Sequence, residues 1–146
     1  MRCINAPVTA GEALMAALLA LSPLGYGWAF DNPLAAGIAA YNDGDYRAAA
    51  DRFAEAVTAA PQDSMRHHWL GKSYGRIAEH SNWFVSMSYA KKTLQQFRAA
   101  VALDADNYEA VRDLADYLES APRFLGGDKQ EAARLKQQLE RLRGDQ

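Results

Sequence analysis

The sequence predicts an all-α protein of antiparallel helical hairpins stacked as a short solenoid, with the second hairpin lengthened. Three observations carry that expectation. Apolar residues recur at steps of three and four along most of the chain. Gly-Asp and Pro signals interrupt the recurrence where a helix must turn or stop. The arrangement then returns in a second copy and, more faintly, in a third. Composition agrees: 49% of the 146 residues are hydrophobic, much of it alanine, which favours helix and buries little surface per residue.

The N-terminal thirty residues stand apart. A cation at Arg2, an apolar run from Ala13 to Leu21, Pro23, and the small residues Gly27 and Ala29 before Phe30 make up a secretory pattern. Residues 1–29 are therefore expected to be a cleaved export signal, with an uncleaved N-terminal anchor as the alternative. Residues 30–146 then form a helical domain of about three hairpins. Cys3 is the sole cysteine; it excludes an internal disulfide or a cysteine-based metal site, and it precedes the apolar run, so it is not a lipidated cysteine following one.

The first hairpin opens with Leu34, Ile38 and Tyr41 at helical spacing. It breaks at Asn42-Asp43-Gly44, where glycine suits a left-handed cap. Asp45 caps a second helix whose inner stripe is Tyr46, Ala49, Phe53, Ala56 and Val57, and Pro61 stops it. The pattern resembles the tetratricopeptide repeat, whose period is about 34 residues. Gly37, Ala49, Phe53, Ala56 and Pro61 fall on its small, small, aromatic, small and proline positions. The resemblance implies close helix crossing at the small residues, with the aromatic filling the gap between neighbouring hairpins.

In the second copy, Leu70, Gly71 and Tyr74 match the first helix, and Phe97 and Ala100 match the second. About ten residues more than the repeat needs lie between those halves. Trp83, Met87, Ala90, Leu94, Phe97 and Val101 keep helical phase through this insertion and predict one continuous apolar stripe, capped at Ser81 or Asn82. The third copy pairs a helix carrying Tyr108, Ala110, Val111 and Leu114 with a final helix whose inward residues are Ala132, Leu135, Leu139 and Leu142. Between them Phe124 and Leu125 are expected to plug a hydrophobic gap. The resemblance spans nearly all of Asn32 to Leu142, is similar to small exported bacterial tetratricopeptide proteins, and implies a periplasmic location. The alternative is attachment to the inner membrane by the N-terminal segment.

Catalysis and cofactors find little support. Gly71-Lys72-Ser73 ends like a phosphate loop, but Arg66 stands where that loop needs glycine, so no nucleotide is expected. The net charge of −2 argues against a nucleic-acid partner. The chain carries no nucleophile elbow and no triad spacing. Asp113, Asp116 and Glu119 read as a solvated helix face. His67, His68 and His80, with Met65 and Met87, offer a second reading as an exported copper- or zinc-binding protein, although helical geometry makes the imidazoles diverge.

A non-catalytic binding or scaffold role is therefore expected, with no cofactor and a protein or peptide partner. The resemblance implies a concave groove lined by the first helix of each hairpin. Its outward positions are Tyr41 and Asn42, then His68, Lys72 and Arg76, then Arg112, Asp116 and Glu119. The carboxylate clamp of chaperone-tail receptors is missing, because Leu34 and Ile38 occupy its positions. Trp83 and Phe84 mark the tip of the long hairpin. Trp83 either packs on Tyr74 and Ile77, or beneath Trp28 to Phe30, or is left partly exposed with Phe84 for a partner or for self-association.

Overall fold

The computed structural model describes residues 32–144. The expected signal or anchor, Cys3 and the possible cover from Trp28 to Phe30 lie outside the described residues. Within them are helices α1 (Pro33–Asn42), α2 (Tyr46–Ala59), α3 (Ser64–Glu79), α4 (Trp83–Leu103), α5 (Tyr108–Ser120) and α6 (Lys129–Gly144), with a 3-10 turn at Arg123–Leu125. Consecutive helices pack as antiparallel pairs, α1 with α2, α3 with α4, and α5 with α6. Each pair also packs on the next, through α2 against α3 and α4 against α5. The chain is all-α, and the α3–α4 hairpin is the longest of the three. No helix among the described residues is long and apolar enough to cross a membrane.

Local chemistry sets the helix ends. Asn32, Asp45, Asp63, Asn82 and Asn107 each accept backbone N–H bonds from the first turn of the helix that follows. Each such cap is worth about 1 kcal/mol. Asn82, not Ser81, caps α4, while the Ser81 hydroxyl donates back to the Ile77 carbonyl. Gly44 takes the left-handed conformation at φ 83°, as the α1–α2 turn requires.

Two phenylalanines organise the packing. Phe53 is fully buried and stacks on Trp69 of the next hairpin with ring centroids 5.6 Å apart. Its ring also presses on the α1 backbone, where a Cβ at Gly37 would come within 2.6 Å of it. Phe97 repeats the arrangement: a Cβ at Gly71 would lie 2.6 Å from its ring. Glycine at both positions is a steric requirement of the helix crossing. The first core joins Ala49, Ala50, Phe53, Leu70 and Ile77; the second joins Phe97, Leu114, Leu118 and Ala132.

The apolar stripe of α4 differs from expectation. Its buried residues are Thr93, Phe97 and Ala100, whereas Trp83 is 62% exposed and Met87 is only half-buried. The reason is that α4 has two neighbours. Tyr89 packs into the first core toward α2 and α3, and Leu94 and Val101 pack into the second toward α5 and α6. One helical period cannot report a face divided between two partners. The expected plug is also corrected: Leu125 is half-buried, but Phe124 is 60% exposed.

Candidate functional site

A groove of about 310 Å³ runs between α3 and α5. Lys72, Gly75, Arg76 and Glu79 form one wall, spaced so that they share a face of α3. Asp113, Asp116, Tyr117 and Ser120 form the other wall on α5, Thr93 and Phe97 reach in from α4, and Tyr41 closes one side from α1.

The α3 wall is cationic and backed by aromatics. Lys72 Nζ lies 4.4 Å from the Trp69 ring centroid and 5.4 Å from that of Tyr41. Both rings face the ammonium with their negative π surface. Tyr41 in turn meets Tyr46 and Trp69 edge-on, at 5.2 and 5.4 Å. Burial pushes the Tyr41 hydroxyl above its ordinary pKa, so it stays protonated as a donor. Arg76 is more committed, because it pairs with Glu79 and donates to the Tyr46 hydroxyl at 3.2 Å. Lys72 has no carboxylate partner among the described residues.

The α5 wall is acidic. Asp113 accepts from His68 Nε2 at 2.8 Å and from Arg112 at 2.8 and 3.1 Å. Burial alone would raise its carboxyl, but the hydrogen bonds and charges of His68 and Arg112 outweigh that and hold it below the ordinary carboxylate value. Asp116, one turn further along, is exposed and carries no ion pair among the described residues. The groove thus holds one uncommitted cation, Lys72, opposite one uncommitted anion, Asp116.

The expected contact residues divide accordingly. Tyr41, Lys72, Arg76 and Asp116 come together in the groove. His68 does not face outward: it is only 6% exposed, tilted against Phe97, and serves as a bridge between hairpins. Asp113 is likewise not on a solvated face, since its side chain is 17% exposed. Arg112 sits at the edge, tied to Glu109 and Asp113. Asn42 is exposed at the end of α1 and does not line the groove. Glu119 turns toward α6 and pairs with Lys136. Trp83 and Phe84 stand outside the groove at the end of α4; Trp83 meets Phe124 rather than Tyr74, whose ring packs on Tyr89.

Gly75 and Asp113 were absent from the expected contacts. Helical phase from Lys72 to Arg76 points to Gly75, whereas Asp113 depends on a partner 45 positions away, which no local pattern reveals. Gly75 differs from Gly37 and Gly71: a Cβ there would rest 3.7 Å from Thr93, an ordinary contact. No packing demand explains it, although glycine within a helix costs about 1 kcal/mol relative to alanine.

The histidines lie among separate neighbours. His67 is 2.7 Å from Gln96 Oε1 and 3.0 Å from the Pro61 carbonyl, and His80 stacks on Tyr46 with centroids 5.8 Å apart. Among the described residues no three His, Cys, Asp or Glu side chains are grouped to hold a metal ion. Compared with known proteins, the chain matches no family model, and no curated protein matches it.

Proposed function

We propose that this chain is an exported, non-catalytic binding module of the tetratricopeptide type, which holds a peptide segment of a partner protein in the groove between α3 and α5. The observation that carries the reading is the bare backbone at Gly75, set between the uncommitted charges of Lys72 and Asp116. A helix that forgoes a side chain without a packing reason leaves room for something to approach its backbone. The opposed charges then favour a ligand carrying both signs and fix its direction. Export into a periplasm rests on residues 1–29, and inner-membrane attachment is the alternative. No grouping of histidines favours the metal-binding alternative.

The test is a phage-displayed peptide library selected against the full chain, with affinities of the selected peptides measured by fluorescence anisotropy. Selected peptides should carry an acidic and a basic residue. Their affinity should fall about tenfold with Lys72→Glu or Asp116→Lys, each exchange reversing one charge contact. Failure to select any peptide would count against the reading, as would peptides that bind both variants as tightly as the parent.

A further inference from the structure

The three most exposed large hydrophobic side chains among the described residues come from two hairpins. Trp83 and Phe84 are the first residues of α4 and are 62% and 79% exposed. Phe124, in the 3-10 turn after α5, is 60% exposed, and its ring centroid lies 6.3 Å from that of Trp83. Aromatic side chains present about 150–250 Å² each, so the three leave roughly 400 Å² of ring surface in water. An area of that size is comparable to the largest apolar patch of a typical monomer, which is often functional.

The turn that carries Phe124 is tied down. The Tyr117 hydroxyl lies 3.0 Å from the Leu125 carbonyl and 2.9 Å from that of Ala90, tying the turn to α4. Backbone bonds from Gly126 to Arg123, from Gly127 to Pro122 and from Asp128 to Leu118 close the turn on itself and onto α5. The backbone that carries the Phe124 ring is therefore set before anything binds.

The two segments that carry the rings hold no acidic side chain of their own. Neither 80–86 nor 121–127 contains an acidic residue, although the chain as a whole has a net charge of −2. Arg123 stands beside Phe124 without an ion pair among the described residues. The first turn of α4 has no acidic side chain, and its cap is the neutral Asn82, so the positive end of the helix dipole is uncompensated. Of the carboxylates that flank these segments in the chain, Glu79 pairs with Arg76, and Asp128 caps α6 while also feeling the charge of Arg123.

We infer that this end of the molecule docks onto an anionic lipid surface, with the three rings entering the headgroup region and Arg123 meeting lipid phosphates. Exposed rings on a helix end suit a bilayer, which accepts an apolar projection by depth alone and needs no matching cleft. The Trp83 indole N–H has no acceptor within the described protein, and an amphipathic ring of this kind is favoured at a membrane interface. A second copy placed tip to tip would instead set Arg123 against Arg123 and one helix N-terminus against another, which like-charge repulsion opposes.

Cosedimentation of the full chain with phosphatidylcholine vesicles, with and without phosphatidylglycerol, tests the inference. Residues 13–21 can themselves enter lipid, so the comparison is between full chains that differ only at the tip. Phe84→Ser with Phe124→Ser should lower the partition coefficient by about tenfold or more. Arg123→Glu should remove the gain that phosphatidylglycerol confers. In a Trp28→Phe background, which removes the indole that follows residues 13–21, brominated lipid should quench the fluorescence, and adding Trp83→Phe should abolish most of that quenching. These side chains are exposed, so circular dichroism of the variants should match that of the parent. Equal sedimentation of parent and tip variants would overturn the inference, as would quenching indifferent to Trp83→Phe. So would a parent that ignores vesicles altogether; that outcome would leave an acidic protein as the partner of the patch.

Discussion

Replacing single glycines with alanine on α3 separates packing from function within one helix. At Gly71 the added methyl would fall 2.6 Å from the Phe97 ring and 3.2 Å from the Gln96 Cβ, well inside contact distance. Phe97 is only 6% exposed and has no room to retreat. Overpacking of this kind costs about 1–3 kcal/mol, more than the 0.5–1 kcal/mol that alanine gains over glycine in a helix. Gly71→Ala should therefore destabilise the domain. At Gly75 the nearest atom is Thr93 Cγ2 at 3.7 Å, so only the helical gain applies. Gly75→Ala should raise stability by about 0.5–1 kcal/mol, a rise in Tm of about 2–6 °C for a domain of this size. Urea denaturation followed by circular dichroism measures both variants. If the groove works as proposed, the more stable Gly75→Ala variant binds its selected peptides more weakly, because its methyl takes the ligand's space. A destabilised Gly75→Ala would show that glycine is there for packing, and the argument for an open groove floor would fail. A Gly71→Ala as stable as the parent would refute the steric reading of the helix crossing.

Two further predictions concern the junctions between hairpins. Asp113→Asn should cost about 1–3 kcal/mol at neutral pH, because His68 and Arg112 lose a carboxylate in a mostly buried setting. The Asp113 carboxyl is depressed in the folded chain, so its stabilisation is fully present above the unfolded value near 3.8 and is lost as pH falls through the lower folded value. Urea midpoints of parent and variant should therefore converge on acidification below about pH 4; a constant gap would contradict the ion-pair account. Tyr117→Phe removes the hydroxyl shared by the Ala90 and Leu125 carbonyls and should cost about 1 kcal/mol. Hydrogen exchange should then quicken at the Gly126 and Gly127 amides; unchanged rates would mean that the backbone bonds alone hold the turn.

Part of the groove was legible in the sequence because α3 is one helix with one phase. Lys72 and Arg76 follow from it directly, whereas Tyr41 and Asp116 are implied only by the resemblance to a helical repeat. His68 shares the phase of Lys72, so its position predicts an outward side chain. It turns inward instead because Asp113 offers a buried hydrogen-bond partner and Phe97 a ring to lie against. Thr93 falls outside the apolar stripe of α4 for a related reason. It is almost fully buried, and its hydroxyl donates to the Tyr89 carbonyl, so a polar side chain sits inside without an unpaired hydrogen-bonding group.

From sequence alone came the quantities that depend on near neighbours: helix ends at Asp45 and Pro61, a cap for α4 narrowed to Ser81 or Asn82, the left-handed turn at Gly44, the hairpin count and the extra length of the second pair. Capping, turn conformation and periodicity act over a few residues, so they are written where they act. Tertiary structure alone decided which face of α4 is buried, that His68 and Asp113 meet, and that Phe124 joins Trp83 in the open. Each of those outcomes depends on contacts between residues far apart in the chain, and their free energies exist only once the hairpins have packed.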